Sequence, residues 1–471
     1  MDRKKILGFA VGPIGAGALS LVSLPIMTWV FSQEAIGQLS MLQVVIQFAT
    51  LMFCLGLDRS YIREYHESSN KPALFINCIF PGILLCAITC AVLLIFFPKW
   101  LATLLYGVSQ SSLTLVTVGS IVAAFVLRFL SLILRMQDKG LMFSMSQIAA
   151  KLLLLVFAAT YALVLVNPDF IYLAVAQFAA LTAAMLVFSW NSRRDWIAAV
   201  AVRPQLPEMN KLLQYGWPLT LGGVASWALV ASDRVFLRSF SSLDELAVYS
   251  VSASIASGAA VVTSIFNVMW APSVYKREAE GASSEYVEQV GKLLTLLVGL
   301  VMCFVGGMSW TVEWVLPMSY SKVPLLIPLC VLPPLLYMLS EVTGVGITVQ
   351  RRTKLAMLVS ILAVIVNFSL CFYLVPMYGA AGAAIASAVA FWAFFVIRTI
   401  VSTRIWESKF DVSWQFLIFL VLMLSILFVI TPDKYSVIAI VGWWLAGSVI
   451  TIARWAMLRE LLHQAVVIFK R

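Results

Sequence analysis

Charged side chains are scarce in this 471-residue sequence. Asp, Glu, Lys and Arg together make up 11% of it, whereas 62% is hydrophobic and the mean hydropathy is +0.97. A soluble protein carries a charged fraction of roughly 25%. Folding still leaves much apolar area exposed, so a soluble core could not hide this much of it. The composition therefore excludes a water-soluble globular protein and predicts an integral membrane protein.

The sequence is also poor in groups that bind metals or catalyse hydrolysis. Its two histidines, His66 and His463, lie in predicted loops or ends, and its seven cysteines lie in apolar runs without metal-ligand spacing. No Gly-rich loop ends in Gly-Lys-Ser/Thr, the phosphate-binding pattern of ATPases. We therefore expect no metal, no other cofactor, no disulfide framework and no ATPase activity.

The apolar residues come in blocks of about 20, the length needed to cross about 30 Å of hydrocarbon. A basic trio precedes the first block, but that block is too long for a signal peptide, so we expect a retained helix. The predicted all-α membrane fold has about fourteen spans: Ile6–Val30, Ile36–Leu57, Leu74–Phe97, Ser112–Leu134, Leu141–Val166, Phe170–Trp190, Leu212–Leu237, Leu246–Trp270, Leu293–Leu316, Val323–Ile347, Leu355–Val375, Gly379–Val401, Trp414–Ile430 and Val437–Met457.

The distribution of basic residues predicts the topology. With the N-terminus inside, most of the 32 Lys and Arg residues fall in the cytoplasmic segments, as the positive-inside rule requires. Only Lys99, Arg238, Lys322 and Lys434 fall in outer segments. The net charge of +10 is explained by this bias rather than by a basic soluble face, so nucleic acid is not an expected partner. We expect both termini in the cytoplasm and the protein in the bacterial inner membrane.

Internal similarity predicts a duplication. Pro13 and Gly17 of the first span match Pro218 and Gly222 of the seventh, and the segment at Arg135 matches that at Thr348, 213 residues later. We expect an N-terminal six-helix lobe (1–200), a parallel C-terminal six-helix lobe (201–405), and an appended helix pair with a cytoplasmic tail (406–471).

The first two spans read PIMTWVFSQEAIGQLSMLQVVIQFATLMFCLGLDRSYIREY. This stretch resembles the opening of Wzx-type oligosaccharide-lipid (O-antigen) flippases, in the polysaccharide transporter branch of the MOP superfamily. The matching positions are Glu34, Gly37, Gly56, Leu57, Arg63 and Tyr65. The resemblance, extending from about Ile6 to Val401, implies transport of an undecaprenyl-pyrophosphate-linked oligosaccharide for O-antigen, lipopolysaccharide or related surface-polysaccharide assembly. Other glycan-assembly membrane proteins are then expected partners.

Charges inside predicted spans are the candidate functional residues, because such charges are costly and usually face a cavity or a partner. Lys151 lies about 18 Å into the fifth span, close to the midplane, and Arg128 about 10 Å into the fourth. The repeat offset relates Arg128 to Glu341 of the tenth span, so we hypothesise that these two meet across the lobe interface, directly or in one conformational state. Arg398 is interpreted as an anchor that snorkels to the interface.

Further candidates lie at span ends. Asp233 and Arg234 are in the outer third of the seventh span. Asp58, Arg59 and Arg63 close the second span, where arginine suits pyrophosphate because its planar fork binds phosphate oxygens in pairs. The predicted substrate-binding residues are Arg59, Arg63, Arg128, Lys151 and Arg234. The predicted coupling or gating acids are Asp58, Asp233 and Glu341. Pro333, Pro334 and Gly344 are expected to break the tenth helix.

Three functions fit a chain of this kind. We favour a flippase working by alternating access, coupled to a proton or sodium gradient. A multidrug cation antiporter of the same superfamily would favour an acidic interior, whereas this one leans basic. A membrane polymerase or ligase usually presents a sizeable outer loop, whereas the longest here, around Pro98–Ser111, lacks paired carboxylates and histidines. The sequence therefore predicts a transporter and not an enzyme.

Overall fold

The computed structural model describes residues 3–164, 169–279, 283–350, 352–406, 413–431 and 436–453. Its regular elements are all helices, as predicted. The described residues fall into two compact units: unit 1 comprises Met1–Val261 with Val375–Ala380, and unit 2 comprises Val262–Leu374 with Ala381–Arg471. The predicted division into two six-helix lobes and an appended pair stays a prediction.

Unit 1 contains ten complete helices and the start of an eleventh. They are α1 (Arg3–Thr28), α2 (Gln33–Cys54), α3 (Leu57–Glu64), α4 (Lys71–Phe96), α5 (Trp100–Tyr106), α6 (Ser111–Met136), α7 (Gly140–Val164), α8 (Phe170–Asn191), α9 (Arg193–Val200), α10 (Leu206–Phe240) and α11 (Leu243–Ala279), which passes into unit 2 after Val261. Its core comes from pairs of long helices, chiefly α1 with α7, α6 with α8, and α2 with α6 and α10.

Unit 2 contains the end of α11 and most of the seven helices that follow it in the chain, whereas the segment Val375–Ala380 belongs to unit 1. The seven helices are α12 (Ser283–Met308), α13 (Val323–Thr343), α14 (Val345–Val349), α15 (Thr353–Tyr378), α16 (Ala380–Trp406), α17 (Ser413–Ile430) and α18 (Ser436–Ala453), with two 3-10 turns at Ser309–Trp314 and Met318–Tyr320. Both α17 and α18 pack against α12, where Gly306 lies directly against the fully buried Trp443 ring.

The predicted spans fall largely within helices. The second, Ile36–Leu57, runs from α2 into α3, and the tenth, Val323–Ile347, runs from α13 into α14. The segment ends at 165–166 and 454–457 lie outside the described residues. Among the described residues, eleven helices are long and apolar enough to cross a membrane, and Trp414–Ile430 and Ile440–Ala453 are shorter apolar helices. The seventh predicted span lies within α10, a 35-residue helix that includes Asp233, Arg234 and Arg238. The chain is a multi-pass membrane protein.

Candidate functional site

A break between α2 and α3 positions the first group of candidate residues. α2 ends at Cys54, and Leu55 and Gly56 take left-handed backbone conformations, with φ of 49° and 69°, before α3 begins at Leu57. A Cβ on Gly56 would lie 2.0 Å from the carbonyl oxygen of Gly216 in α10. Glycine is therefore required at position 56, because the two backbones pass in contact there.

The break places Asp58 in the first turn of α3, facing α6. Arg128 Nη2 donates to Asp58 Oδ2 at 2.8 Å, and the Arg59 backbone N–H donates to Asp58 Oδ1 at 3.0 Å. The Asp58 side chain is 12% exposed and that of Arg128 is 44% exposed. Arg128 thus pairs with a carboxylate of its own unit, and the hypothesis that it also meets Glu341 stays a prediction.

Arg59 and Arg63 lie on the exposed side of α3. The Arg63 guanidinium lies 4.3 Å from the centroid of the Tyr215 ring and its Nε lies 3.6 Å from Glu64 Oε1. Together, Asp58, Arg59, Arg63 and Arg128 form what we call the α3 cluster. It has more positive than negative charge, and its arginines keep donors directed to the surface.

Lys151 of α7 is held by α1. Its Nζ donates to the carbonyl oxygen of Ala16 at 3.0 Å and to Ser20 Oγ at 2.5 Å. Ser254 of α11 donates to the Ser20 carbonyl oxygen, so α1 receives hydrogen bonds from both neighbours. The ammonium–carbonyl contact makes Lys151 a link between α7 and α1, and its predicted role in substrate binding stays a prediction.

Asp233 and Arg234 of α10 share an aromatic neighbour. Asp233 is 1% exposed, and its Oδ2 accepts a hydrogen bond from the Tyr249 hydroxyl of α11. The Arg234 guanidinium lies 5.8 Å from the centroid of the same ring. A buried carboxylate must have a hydrogen-bond partner to remain buried, and Tyr249 supplies it.

In unit 2, Glu341 of α13 is bound by Arg398 of α16. Arg398 Nη1 lies 2.5 Å from Glu341 Oε1, and the two side chains are 8% and 26% exposed. Trp270 Nε1 donates to the Glu341 carbonyl oxygen at 3.1 Å. A Cβ on Gly344 would lie 2.6 Å from Arg398 Cγ and Nε, so glycine there leaves room for the guanidinium to reach Glu341.

Two predictions about this region were wrong. Arg398 is not a snorkelling anchor, because it is buried and paired with Glu341. Pro333 and Pro334 do not break the helix, since α13 runs through both and ends only at Gly344. Membrane helices tolerate proline where neighbouring groups satisfy the freed backbone, and the Thr263 hydroxyl donates to the Pro334 carbonyl oxygen.

The structure thus distributes the predicted residues over four places. The α3 cluster, the Lys151 contact and the Asp233–Tyr249 contact lie in unit 1, and the Glu341–Arg398 pair lies in unit 2. Both Arg–carboxylate pairs lie beside a helix break at a glycine. Arg398 was not identified from the sequence as the partner of Glu341. The presence of an opposite charge within another predicted span could have suggested this pair. In the described ranges, no three His, Cys, Asp or Glu side chains come close enough to hold a metal ion.

Comparisons with known proteins agree with this architecture. The family model described as "Polysaccharide biosynthesis protein" matches residues 3–276. No curated protein sequence matches the chain significantly. The fold is similar to that of the lipid II flippase MurJ in an inward closed conformation, with a TM-score of 0.70 at 12% identity, covering 97% of this chain and 100% of that one.

Two structures of multidrug resistance MATE family transporters of the MOP superfamily are also similar. The inward-facing one has a TM-score of 0.57 at 14% identity and covers 83% of this chain and 96% of its own. The outward-facing one has a TM-score of 0.52 at 14% identity, and the match covers 86% of this chain and 96% of that one. At these identities the likeness concerns the fold alone.

Proposed function

Because the chain belongs to the polysaccharide biosynthesis protein family, we propose that it is a flippase. Its substrate is a lipid-linked oligosaccharide, carried by undecaprenyl pyrophosphate, which it moves from the inner to the outer leaflet of the bacterial inner membrane. The product serves O-antigen or related surface-polysaccharide assembly. Moving the glycan-lipid between leaflets makes and breaks no covalent bond, so the proposed activity is transport and not catalysis.

The observation that carries the proposal is the α3 cluster on a MurJ-like fold. Three arginines lie around the α2–α3 break, and two of them, Arg59 and Arg63, are exposed. Guanidinium groups bind phosphate oxygens through paired hydrogen bonds. In this proposal Arg59 and Arg63 capture the pyrophosphate, while Asp58 holds Arg128 in place until the substrate competes for it.

The remaining charges take part in the conformational cycle. In this proposal Lys151 and Arg234 contact the substrate as it crosses the protein. The two lobes rock so that the binding site opens first to one side of the membrane and then to the other. Coupling to a proton or sodium gradient passes through Asp233 or Glu341. Each acid has a partner that can be exchanged: the Tyr249 hydroxyl for Asp233, and the Arg398 guanidinium for Glu341.

A multidrug cation antiporter is the second candidate, and the MATE-like fold favours it. Such a protein requires acidic groups that attract a cationic drug. The exposed charges of the α3 cluster are instead arginines, and its acid is largely buried. The charge at this site therefore supports an anionic substrate.

Complementation tests the proposal. In a bacterial strain that lacks its own flippase but carries the matching glycan genes, the wild-type chain is expected to restore surface glycan. R59Q/R63Q is expected to reduce it at least about ten-fold, since each lost charged hydrogen bond contributes about 1.5–3 kcal/mol. K139Q/R352Q, which removes the same charge from exposed positions outside the cluster, is the matched control and should remain active.

Expression and melting temperature are measured for every variant. Full activity of R59Q/R63Q would exclude the α3 cluster from substrate binding. A wild-type chain that never restores glycan but raises resistance to cationic drugs would contradict the flippase function and establish the antiporter.

A further inference from the structure

The short helix α9, between α8 and α10, exposes an unusual face. α9 packs against α4, and its Ala199 is fully buried. The spacing of 100° per residue places Arg193, Arg194, Ile197 and Val200 together on the opposite side, and all four are exposed. This side of α9 therefore combines two guanidinium groups with two aliphatic side chains.

The aliphatic part of this face continues the surface of a membrane-spanning helix. Ile197 is 55% exposed and Val200 68%, and Trp190, in the last turn of α8, is 69% exposed. α8 is long and apolar enough to cross the membrane, and α9 follows after Ser192 alone. Tryptophan at a span end and aliphatic side chains on a helix rich in arginine are typical of the membrane–water interface.

The acids of this segment have hydrogen-bond partners other than the two arginines. Gln137 Nε2 donates to Asp195 Oδ1 at 2.8 Å, and Asn77 Nδ2 donates to Glu208 Oε2 at 3.3 Å. Neither Arg193 nor Arg194 forms an ion pair with a described residue. Their place in the first turn of α9 is also unfavourable for the helix dipole, so helix stability does not account for them.

Arg193 is oriented for a phosphate. Its guanidinium lies 4.4 Å from the centroid of the Trp190 ring, and Nη1 donates to the Trp190 carbonyl oxygen at 3.2 Å. A guanidinium has five N–H donors in its plane, and a ring covering one face leaves the edge accessible. The remaining donors are therefore available at the depth where α8 ends.

We propose that this surface binds the headgroups of anionic phospholipids in the adjoining leaflet. We call it the α9 platform, and its residues are Trp190, Arg193, Arg194, Ile197 and Val200. A partner with a phosphate beside an acyl chain matches the guanidinium groups beside aliphatic side chains, whereas a soluble anion would leave Ile197 and Val200 in water. The proposal does not depend on the transported substrate.

Lipid bound to the platform would also stabilise the position of the segment that leads into α10. Asn77 of α4 accepts from the backbone N–H of Gln205, the residue that precedes α10, at 2.8 Å and binds Glu208 in its first turn. α9 packs on the same helix α4. Holding α9 in the headgroup layer therefore stabilises the segment that leads from the predicted N-terminal lobe to the next.

Native mass spectrometry of the full-length protein in detergent tests the platform. Phosphatidylglycerol is titrated against wild type, R193Q/R194Q, R193K/R194K and the control K139Q/R352Q, with phosphatidylcholine as the neutral lipid. R193Q/R194Q is expected to weaken phosphatidylglycerol binding about thirty-fold, since each basic residue contributes about 1 kcal/mol. R193K/R194K and K139Q/R352Q should stay close to wild type.

Several results would overturn the platform. One is unchanged phosphatidylglycerol affinity in R193Q/R194Q, and another is equal affinity of wild type for phosphatidylcholine. Displacement of phosphatidylglycerol by inorganic pyrophosphate would show a site for a free anion instead. If R193Q/R194Q does not fold, R193K/R194K decides: a lysine pair that binds phosphatidylglycerol no better than phosphatidylcholine would contradict the proposal.

Discussion

Replacing Glu341 by alanine is expected to lower the free energy of unfolding by about 3–5 kcal/mol. The reason is the asymmetry of burial in the Glu341–Arg398 pair, whose side chains are 26% and 8% exposed. Removing the carboxylate leaves a guanidinium that is almost fully enclosed and has lost its charged partner. An unpaired buried charge costs far more than the pair contributes when it is intact.

Replacing the other partner, Arg398, by methionine is expected to lower the free energy of unfolding by less than E341A does. R398M leaves a carboxylate that is less enclosed than the Arg398 guanidinium, since the two side chains are 26% and 8% exposed, and methionine fills part of the arginine's volume. The double variant E341A/R398M buries no charge and is expected to be more stable than E341A alone. E341Q retains a hydrogen-bond acceptor for Arg398 and should lie between wild type and E341A.

Equilibrium unfolding of purified full-length protein in detergent measures the free energy of unfolding of each variant. Wild type, E341A, R398M and E341A/R398M form the double-mutant cycle. Gly344 supplies an independent check, because G344A would force the Arg398 side chain away from Glu341. This expectation would be contradicted if R398M lowered the free energy of unfolding as much as E341A and the double variant lost the sum of the two. The pair would then not be the source of the stability.

Replacing Gly56 by alanine is expected to have the other large effect, a loss of more than about 3 kcal/mol. About 1–2 kcal/mol comes from placing a side chain at φ of 69°. The rest comes from the new Cβ, which would lie 2.0 Å from the Gly216 carbonyl oxygen and 2.6 Å from its carbon. Both contacts are with backbone, so no side-chain rotation relieves them, and α3 must move away from α10.

Gly222 of α10 is the matched control for G56A. A Cβ there meets nothing within 4 Å, and the residue lies inside a helix. G222A is therefore expected to be neutral or to stabilise by up to about 1 kcal/mol. The measurement is the melting temperature of each purified variant, followed by its complementation activity. Equal melting temperatures for G56A and G222A would contradict the close backbone contact between Gly56, in the α2–α3 break, and Gly216 of α10.

The movement of α3 has a functional consequence that stability alone does not show. Asp58 and the exposed arginines 59 and 63 are all carried by this eight-residue helix. G56A should therefore reduce glycan export even at temperatures where the protein remains folded.

Much of the fold could be predicted from the sequence, because lipid imposes a length and an apolar composition on every span. The short helices α3, α5 and α9 could not, since none contains a span-length apolar run. α5 lies in the loop around Pro98–Ser111 that the sequence marked only as a connection. These three helices depend on packing against neighbours, which a single sequence does not display.

The candidate site was predicted less completely than the fold. Depth along a helix identified Arg128, Lys151 and Glu341 as charges inside spans. Their partners depend on which helices adjoin: Asp58 is 70 residues from Arg128, and Arg398 is 57 from Glu341. The repeat suggested a partner by symmetry, but the structure pairs each charge with a residue of its own unit. For Lys151 the sequence predicted a cavity or a partner without naming one, and the structure shows a backbone carbonyl of α1.

Transport in a defined membrane tests the flippase function most directly. The purified protein is reconstituted into phospholipid vesicles with a fluorescent polyprenyl-pyrophosphate-linked oligosaccharide, and a membrane-impermeant reagent measures how much label reaches the other leaflet. Wild type is expected to move the glycan-lipid, and R59Q/R63Q to move it at least about ten-fold more slowly, with K139Q/R352Q unchanged. Movement no faster than in protein-free vesicles, in the presence of either ion gradient, would contradict the flippase function.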